Sequence, residues 1–114
     1  MKSNIGFWSF SSHLKNKVIP SIQKNKKIVP IKIFTSKKID KKNHYLKNLK
    51  ITTSKKNFLK DEKLDVIYIS SISKNHFKNS MDSLKFNKNV ICEKPICENS
   101  NDFKKLLSKA KKKN

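Results

Sequence analysis

An α/β fold, an open parallel sheet of about five strands with helices on both faces, is predicted for this chain of 114 residues by three observations. Short apolar runs alternate along the chain with segments whose apolar residues recur at helical spacing. Two of the runs, Val66–Ile69 and residues 90–92, are continuously apolar, as strands covered on both faces are. Each breaks into polar residues at its carboxyl end, Ser70-Ser71 after the first and Glu93-Lys94-Pro95 after the second. Open α/β sheets keep their chemistry outside those ends, so two strand ends point at one crevice.

Taken in order, residues 4–10 (Asn-Ile-Gly-Phe-Trp-Ser-Phe) read as the first strand. Leu14, Val18 and Ile22 follow at i, i+4 and i+8, an amphipathic helix that Pro20 kinks. Ile28–Phe34 is a second strand rich in β-branched residues, with Pro30 confined to its early part. Residues 36–48 are polar, a loop plus a helix that turns Tyr45, Leu46 and Leu49 inward. Residues 51–53 form a short third strand, and Phe58 with Leu59 pins a small helical turn. After the strand Val66–Ile69, the spacing of Phe77, Met81 and Leu84 predicts the inner face of a helix. Asn87 stands where that helix reverses, a residue that tolerates left-handed backbone. Beyond the strand at 90–92, Asn99 caps a last helix with Phe103, Leu106, Leu107 and Ala110 on one face and Lys104, Lys105, Lys109 and Lys111 on the other. Right-handed crossovers make this a Rossmann-type plan, one domain over residues 1–114.

The net charge of +20 invites a nucleic-acid reading, since a basic surface gains free energy by releasing counterions from phosphate. All 28 basic residues are lysine, however, whereas readout of guanine and phosphate favours the arginine fork. The lysines are spread over nearly every expected solvent face, so the charge predicts weak, salt-sensitive attraction to polyanions and no specific nucleic-acid partner. Cys92 and Cys97 match neither a redox pair nor a zinc set; the first reads as a small buried strand residue and the second as a loop thiol. No apolar run approaches the roughly 20 residues of a membrane span, and no signal-peptide core follows Met1, so a cytoplasmic protein with no membrane partner is expected.

Residues 65–95 carry more than a fold. The run Asp-Val-Ile-Tyr-Ile-Ser-Ser, then His76 opening a helix, then Asn-Val-Ile-Cys-Glu-Lys-Pro resembles the nucleotide-binding half of the glucose-fructose oxidoreductase and inositol dehydrogenase family, Gfo/Idh/MocA. Ile5-Gly6 and Ile19-Pro20 lie at that family's separation, and the resemblance extends over essentially the whole chain. It implies an NAD(P)-binding domain of an oxidoreductase. Glu93, Lys94 and Pro95 would line the nicotinamide end, with Lys94 the catalytic candidate, placed to hydrogen-bond a substrate hydroxyl and manage its proton as hydride leaves. The alternative for Lys94 is one more solvated lysine; its place at a strand end favours the functional role. Gly6, within the first strand, would be cofactor-binding, Ser9, Ser11 and Ser12 would form the phosphate loop, Ser36 and Lys37 the ribose end, and Ser71, after the fourth strand, and His76, at the head of the next helix, would also touch the cofactor. His76 reads equally well as a hydrogen-bonded structural residue, and Asp65 as closing the turn into its strand.

The chain departs from the family pattern at Ser9, Ser11 and Leu14, where relatives place the glycines that permit a tight turn, close approach to pyrophosphate and close helix packing. A side chain in a left-handed position costs about 1–2 kcal/mol. Against that, Ser11 and Ser12 bring hydroxyls to a helix amino terminus, which already favours an anion. No carboxylate follows the second strand; Ser36-Lys37-Lys38 resembles the ending of phosphate-accepting relatives, so NADP is favoured over NAD. Ile72 and Ser73 replace a usual Pro-Asn. The family's carboxyl-terminal substrate domain is expected to be lacking. Hydride transfer to or from a sugar- or polyol-type substrate would then need a second domain, supplied by a separate chain or by a homo-oligomer. The alternative function is a truncated or degenerate non-catalytic interaction module; a nucleic-acid binder ranks last.

Overall fold

The computed structural model describes residues 2–36, 49–93 and 100–112. Strands β1 (Ser3–Trp8), β2 (Ile28–Phe34), β3 (Lys50–Thr52), β4 (Val66–Ile69) and β5 (Asn89–Cys92) pair in parallel, in the order β3-β2-β1-β4-β5. Parallel pairing requires crossovers, and helices α1 (Ile19–Gln23), α2 (Lys55–Leu59) and α3 (His76–Lys85) lie between strands, with α4 (Ser100–Lys112) after β5. This is the Rossmann-like α/β arrangement that the alternation predicts. β1 stops two residues short of the expected strand because Ser9 turns the chain with φ 78.

Alternation along β1 sends Ile5 and Phe7 to one face of the sheet, where they are fully buried with Leu14, Ile19, Ile33 and Leu49. Trp8 goes to the other, packed with Phe58, Leu59, Leu64, Ile67 and Ile69. Each such fully buried side chain contributes roughly 1.5–3 kcal/mol, so the sheet is held by two cores. Gly6 lies on the second face, inside the strand. A Cβ there would stand 2.6 Å from Leu64 Cδ1 and 2.9 Å from Phe58 Cε1, so glycine is required for packing. The register of β1 and β2 slips between Ile5 and Gly6, which adds a residue to β2 just after Pro30. Proline has no N–H to give to the ladder, and a bulge is where a sheet tolerates it.

Two helices bury faces other than those their apolar spacing predicts. The turn Leu14–Val18 is a π-helix, closed by the Ile19 N–H on the Leu14 carbonyl. Pro20 supplies no N–H and crowds the carbonyl four residues before it, which favours the wider turn. The buried pair is therefore Leu14 and Ile19, while Val18 and Ile22 are half-buried. In α3 the buried residues are His76, Asn79, Ser80, Ser83 and Leu84; Phe77 and Met81 lie half-buried at the margin. Two of the polar groups on that inner face find partners there, Asn79 on Ser71 and Ser83 Oγ on the Asn79 carbonyl, each at 2.8 Å, while the buried Ser80 hydroxyl makes no hydrogen bond among the described residues. Asn87 has φ 63, as predicted, and the Asn87 and Lys88 N–H groups close back on Leu84 and Ser83 in a Schellman motif.

α4 packs on α3 and buries only Leu106 of its expected apolar face. Phe103 and Leu107 are 44% and 46% exposed, and Ile91 on β5 is 48% exposed. Cys92, expected to be buried, is half-buried at that same outer strand. The predicted helix within 37–48, the Asn99 cap and the Cys97 thiol lie outside the described residues.

Candidate functional site

A cleft of about 460 Å³ opens at the carboxyl ends of β1, β2, β3 and β4. Trp8, Ser9, Phe10 and Ser11 line it from β1, Phe34, Thr35 and Ser36 from β2, Thr53 from β3, and Ser70, Ser71 and Ile72 from β4. It lies at the switch point of the sheet, where crossovers leave β1 in one direction and β4 lies on the other side. None of these lining residues is acidic. In a chain of net charge +20, such a cleft favours an anion.

The turn leaving β1 is pinned from both neighbouring strands. The Ser9 N–H donates to the Phe34 carbonyl at 2.8 Å and the Ser70 N–H to the Trp8 carbonyl at 3.0 Å. Ser70 Oγ is shared between the Trp8 and Ser9 carbonyls, at 3.2 and 3.1 Å. These bonds hold Ser9 in the left-handed region, at the position where a glycine is expected. Ser11 Oγ accepts the Leu14 N–H at 3.1 Å, and the Ser11 carbonyl accepts from Lys15 at 3.0 Å. Ser11 thus caps the helix that leads into α1. Ser12, in the first turn of that helix, is exposed.

On the β4 side, His76 Nε2 donates to the Ser71 carbonyl at 2.6 Å, and Asn79 Nδ2 donates to Ser71 Oγ at 2.8 Å. His76 is 2% exposed and stands behind the cleft wall, where it orients Ser71. Glu93 follows β5, with its N–H on the Ile69 carbonyl at 3.2 Å and Oε2 accepting the Tyr68 hydroxyl at 3.1 Å. Asp65 has a structural role, as expected, but it ties the start of β4 to β1 rather than closing its own turn: Oδ2 accepts the Asn4 N–H at 2.8 Å.

Of the residues singled out in the sequence, the cleft gathers Ser9, Ser11, Ser36 and Ser71. Gly6 is a correction, since it is packed under Leu64 and Phe58 within β1, away from the cleft. Lys37, Lys94 and Pro95 lie outside the described residues. Trp8, Thr35 and Thr53 line the cleft unforeseen. Each ends a strand or follows one directly, and that position alone would have found them.

The profile of an oxidoreductase family with an NAD-binding Rossmann fold matches residues 11–114. The chain belongs to the Gfo/Idh/MocA family. Its members' nucleotide-binding domain accounts for the sheet order and for a cleft suited to a nicotinamide dinucleotide. No curated protein matches the chain. Among solved structures, an inferred oxidoreductase from Bacteroides fragilis superposes with a TM-score of 0.89 at 25% identity, over 99% of this chain and 35% of that one. An NAD-binding protein from Listeria innocua gives 0.87 at 23% identity, over 100% and 34%. An oxidoreductase from Bacillus cereus gives 0.88 at 22% identity, over 98% and 33%. The chain therefore spans about a third of the length of these structures. Among the described residues no helix is long and apolar enough to cross a membrane.

Proposed function

We propose that the cleft binds NADP in preference to NAD, with the pyrophosphate over residues 9–12 and the nicotinamide toward Glu93 and Lys94. The observation that carries this reading is a cleft without carboxylates at the switch point of a parallel sheet. Thr35 and Ser36 offer hydroxyls at the ribose end, and Lys37 follows them in sequence, a combination suited to a 2′-phosphate. The bound dinucleotide would supply the hydride chemistry. This chain's residues orient it: backbone amides after Ser9 take the pyrophosphate, Ser71 is held by His76 and Asn79, and Lys94 manages a substrate proton. Hydride transfer to or from a sugar- or polyol-type substrate follows once a substrate-binding domain closes over that end.

Titration with NADPH and with NADH, followed by fluorescence, tests the proposal. Saturable binding, tighter for NADPH, supports it; no saturation by either at millimolar concentration overturns it. One observation favours a second reading, a non-catalytic module that keeps the fold: the Leu14 N–H, available to a phosphate in a glycine-bearing loop, is taken by Ser11. Restoring the glycines separates the two, because a module that has lost the site stays silent.

A further inference from the structure

Glu93 is held twice by β4. Its backbone is fixed through the Ile69 carbonyl and its side chain through the hydroxyl of Tyr68, the adjacent residue on the opposite face of that strand. The Tyr68 ring is itself supported, lying 6.1 Å from the Phe7 ring in a tilted contact within the α1-side core. A carboxylate on a strand end exposed to water samples several rotamers, and a ligand that must order such a side chain loses affinity in doing so. Here the ordering is built in before any ligand arrives. Burial, followed by the charge of Glu93 and the hydrogen bond to it, pushes the Tyr68 hydroxyl up to about 12, so it remains a donor throughout the neutral range.

We propose that Tyr68 is a positioning residue, which holds the Glu93 carboxylate in one orientation at the end of β5, beside the cleft, where a bound nicotinamide would lie. The proposal rests on the dinucleotide reading of that cleft. With Oε2 held by a rigid phenol, the second carboxylate oxygen is confined to a narrow arc, and Glu93 presents a preset acceptor edge beside Lys94 in the sequence. A phenylalanine in place of Tyr68 would keep the ring and its packing and lose only this restraint.

The test is a double-mutant cycle of Tyr68→Phe and Glu93→Ala, which leaves no acceptor for the phenol, read as NADPH affinity, with a second readout that needs no cofactor. Tyr68→Phe should weaken binding about three- to tenfold and should add nothing in the Glu93→Ala background. An equal loss in both backgrounds, or no loss in either, overturns the proposal, since Tyr68 would then not act through Glu93. The second readout is the carbon-13 resonance of the tyrosine ζ carbon in the unliganded protein, with Tyr45→Phe leaving Tyr68 as the one tyrosine. Glu93→Gln should shift that resonance and lower the pH at which it titrates; an unmoved signal overturns the restraint. If no form binds NADPH, the dinucleotide reading fails, and the resonance alone decides whether Tyr68 holds Glu93.

Discussion

The hydroxyl of Ser11 accepts the backbone N–H of Leu14 at 3.1 Å, so the chain caps the helix that follows β1 with a side chain. In a glycine-bearing loop that amide is one of those that meets a pyrophosphate. The same loop holds Ser9 at φ 78, a conformation that costs a non-glycine residue about 1–2 kcal/mol. Ser9→Gly with Ser11→Gly should therefore tighten NADPH binding about tenfold. Replacing the cap by glycine costs only a few tenths of a kcal/mol, so the melting temperature should not fall. Unchanged affinity in the double variant would place the pyrophosphate elsewhere.

Gly6 predicts a stability effect without a binding effect. An added methyl meets two fully buried side chains, Leu64 and Phe58, that have nowhere to retreat. Gly6→Ala should cost about 1–3 kcal/mol in urea unfolding. A neutral result would mean that α2 can ride outward from the sheet.

Acid stability depends on Asp61, whose Oδ2 takes Lys32 Nζ at 3.0 Å. Burial raises the Asp61 carboxyl, but the Lys32 hydrogen bond, the Lys63 N–H and the charges of Lys32 and Lys88 outweigh it, and the net shift is downward. With its folded value below the unfolded one, the group contributes stability above the ordinary carboxylate range and loses it as pH falls through the folded value. Asp61→Asn should lower stability at pH 7 by about 1–2 kcal/mol and flatten the acid limb of the profile. Urea midpoints measured from pH 7 down to pH 3 would check this; parallel acid limbs would remove Asp61 from the account.

The charge of +20 should appear as polyanion affinity that falls steeply with salt and reads no sequence. Anisotropy titrations of two unrelated DNA duplexes across a salt series should coincide. A sequence-specific footprint that survives physiological salt would restore the nucleic-acid reading.

β5 ends the sheet order, and exposed Ile91, Phe103 and Leu107 lie on it and on α4. Edges and apolar surface of this kind associate, while net charge opposes it. Sedimentation should therefore show self-association that rises with salt, as repulsion is screened, and Ile91→Lys should reduce it. A monomer at all salt concentrations would show that this edge is inert.

The order and type of the elements were legible in the sequence because each rests on local physics. Val66–Ile69 is continuously apolar, Asn87 takes the left-handed backbone its side chain tolerates, and residues 65–93 carry a family pattern in consecutive positions. The strand ends were legible in the same way, while Ser9, Ser11, Ser36 and Ser71 were singled out through the family resemblance and lie along the cleft. Which faces are buried was decided only in three dimensions. Apolar periodicity placed Val18 and Ile22 inward, but the π turn before Pro20 moved burial to Ile19. It placed Phe77 and Met81 under α3, where His76 and Asn79 lie instead, their polar atoms satisfied by Ser71. Gly6, read as a cofactor-binding residue of the first strand, is packed under Leu64 and Phe58, which come from far along the chain. Spacing records the hydrophobicity of one segment at a time, whereas polar burial, close packing and the Tyr68–Glu93 bond depend on partners that adjacent strands alone bring together.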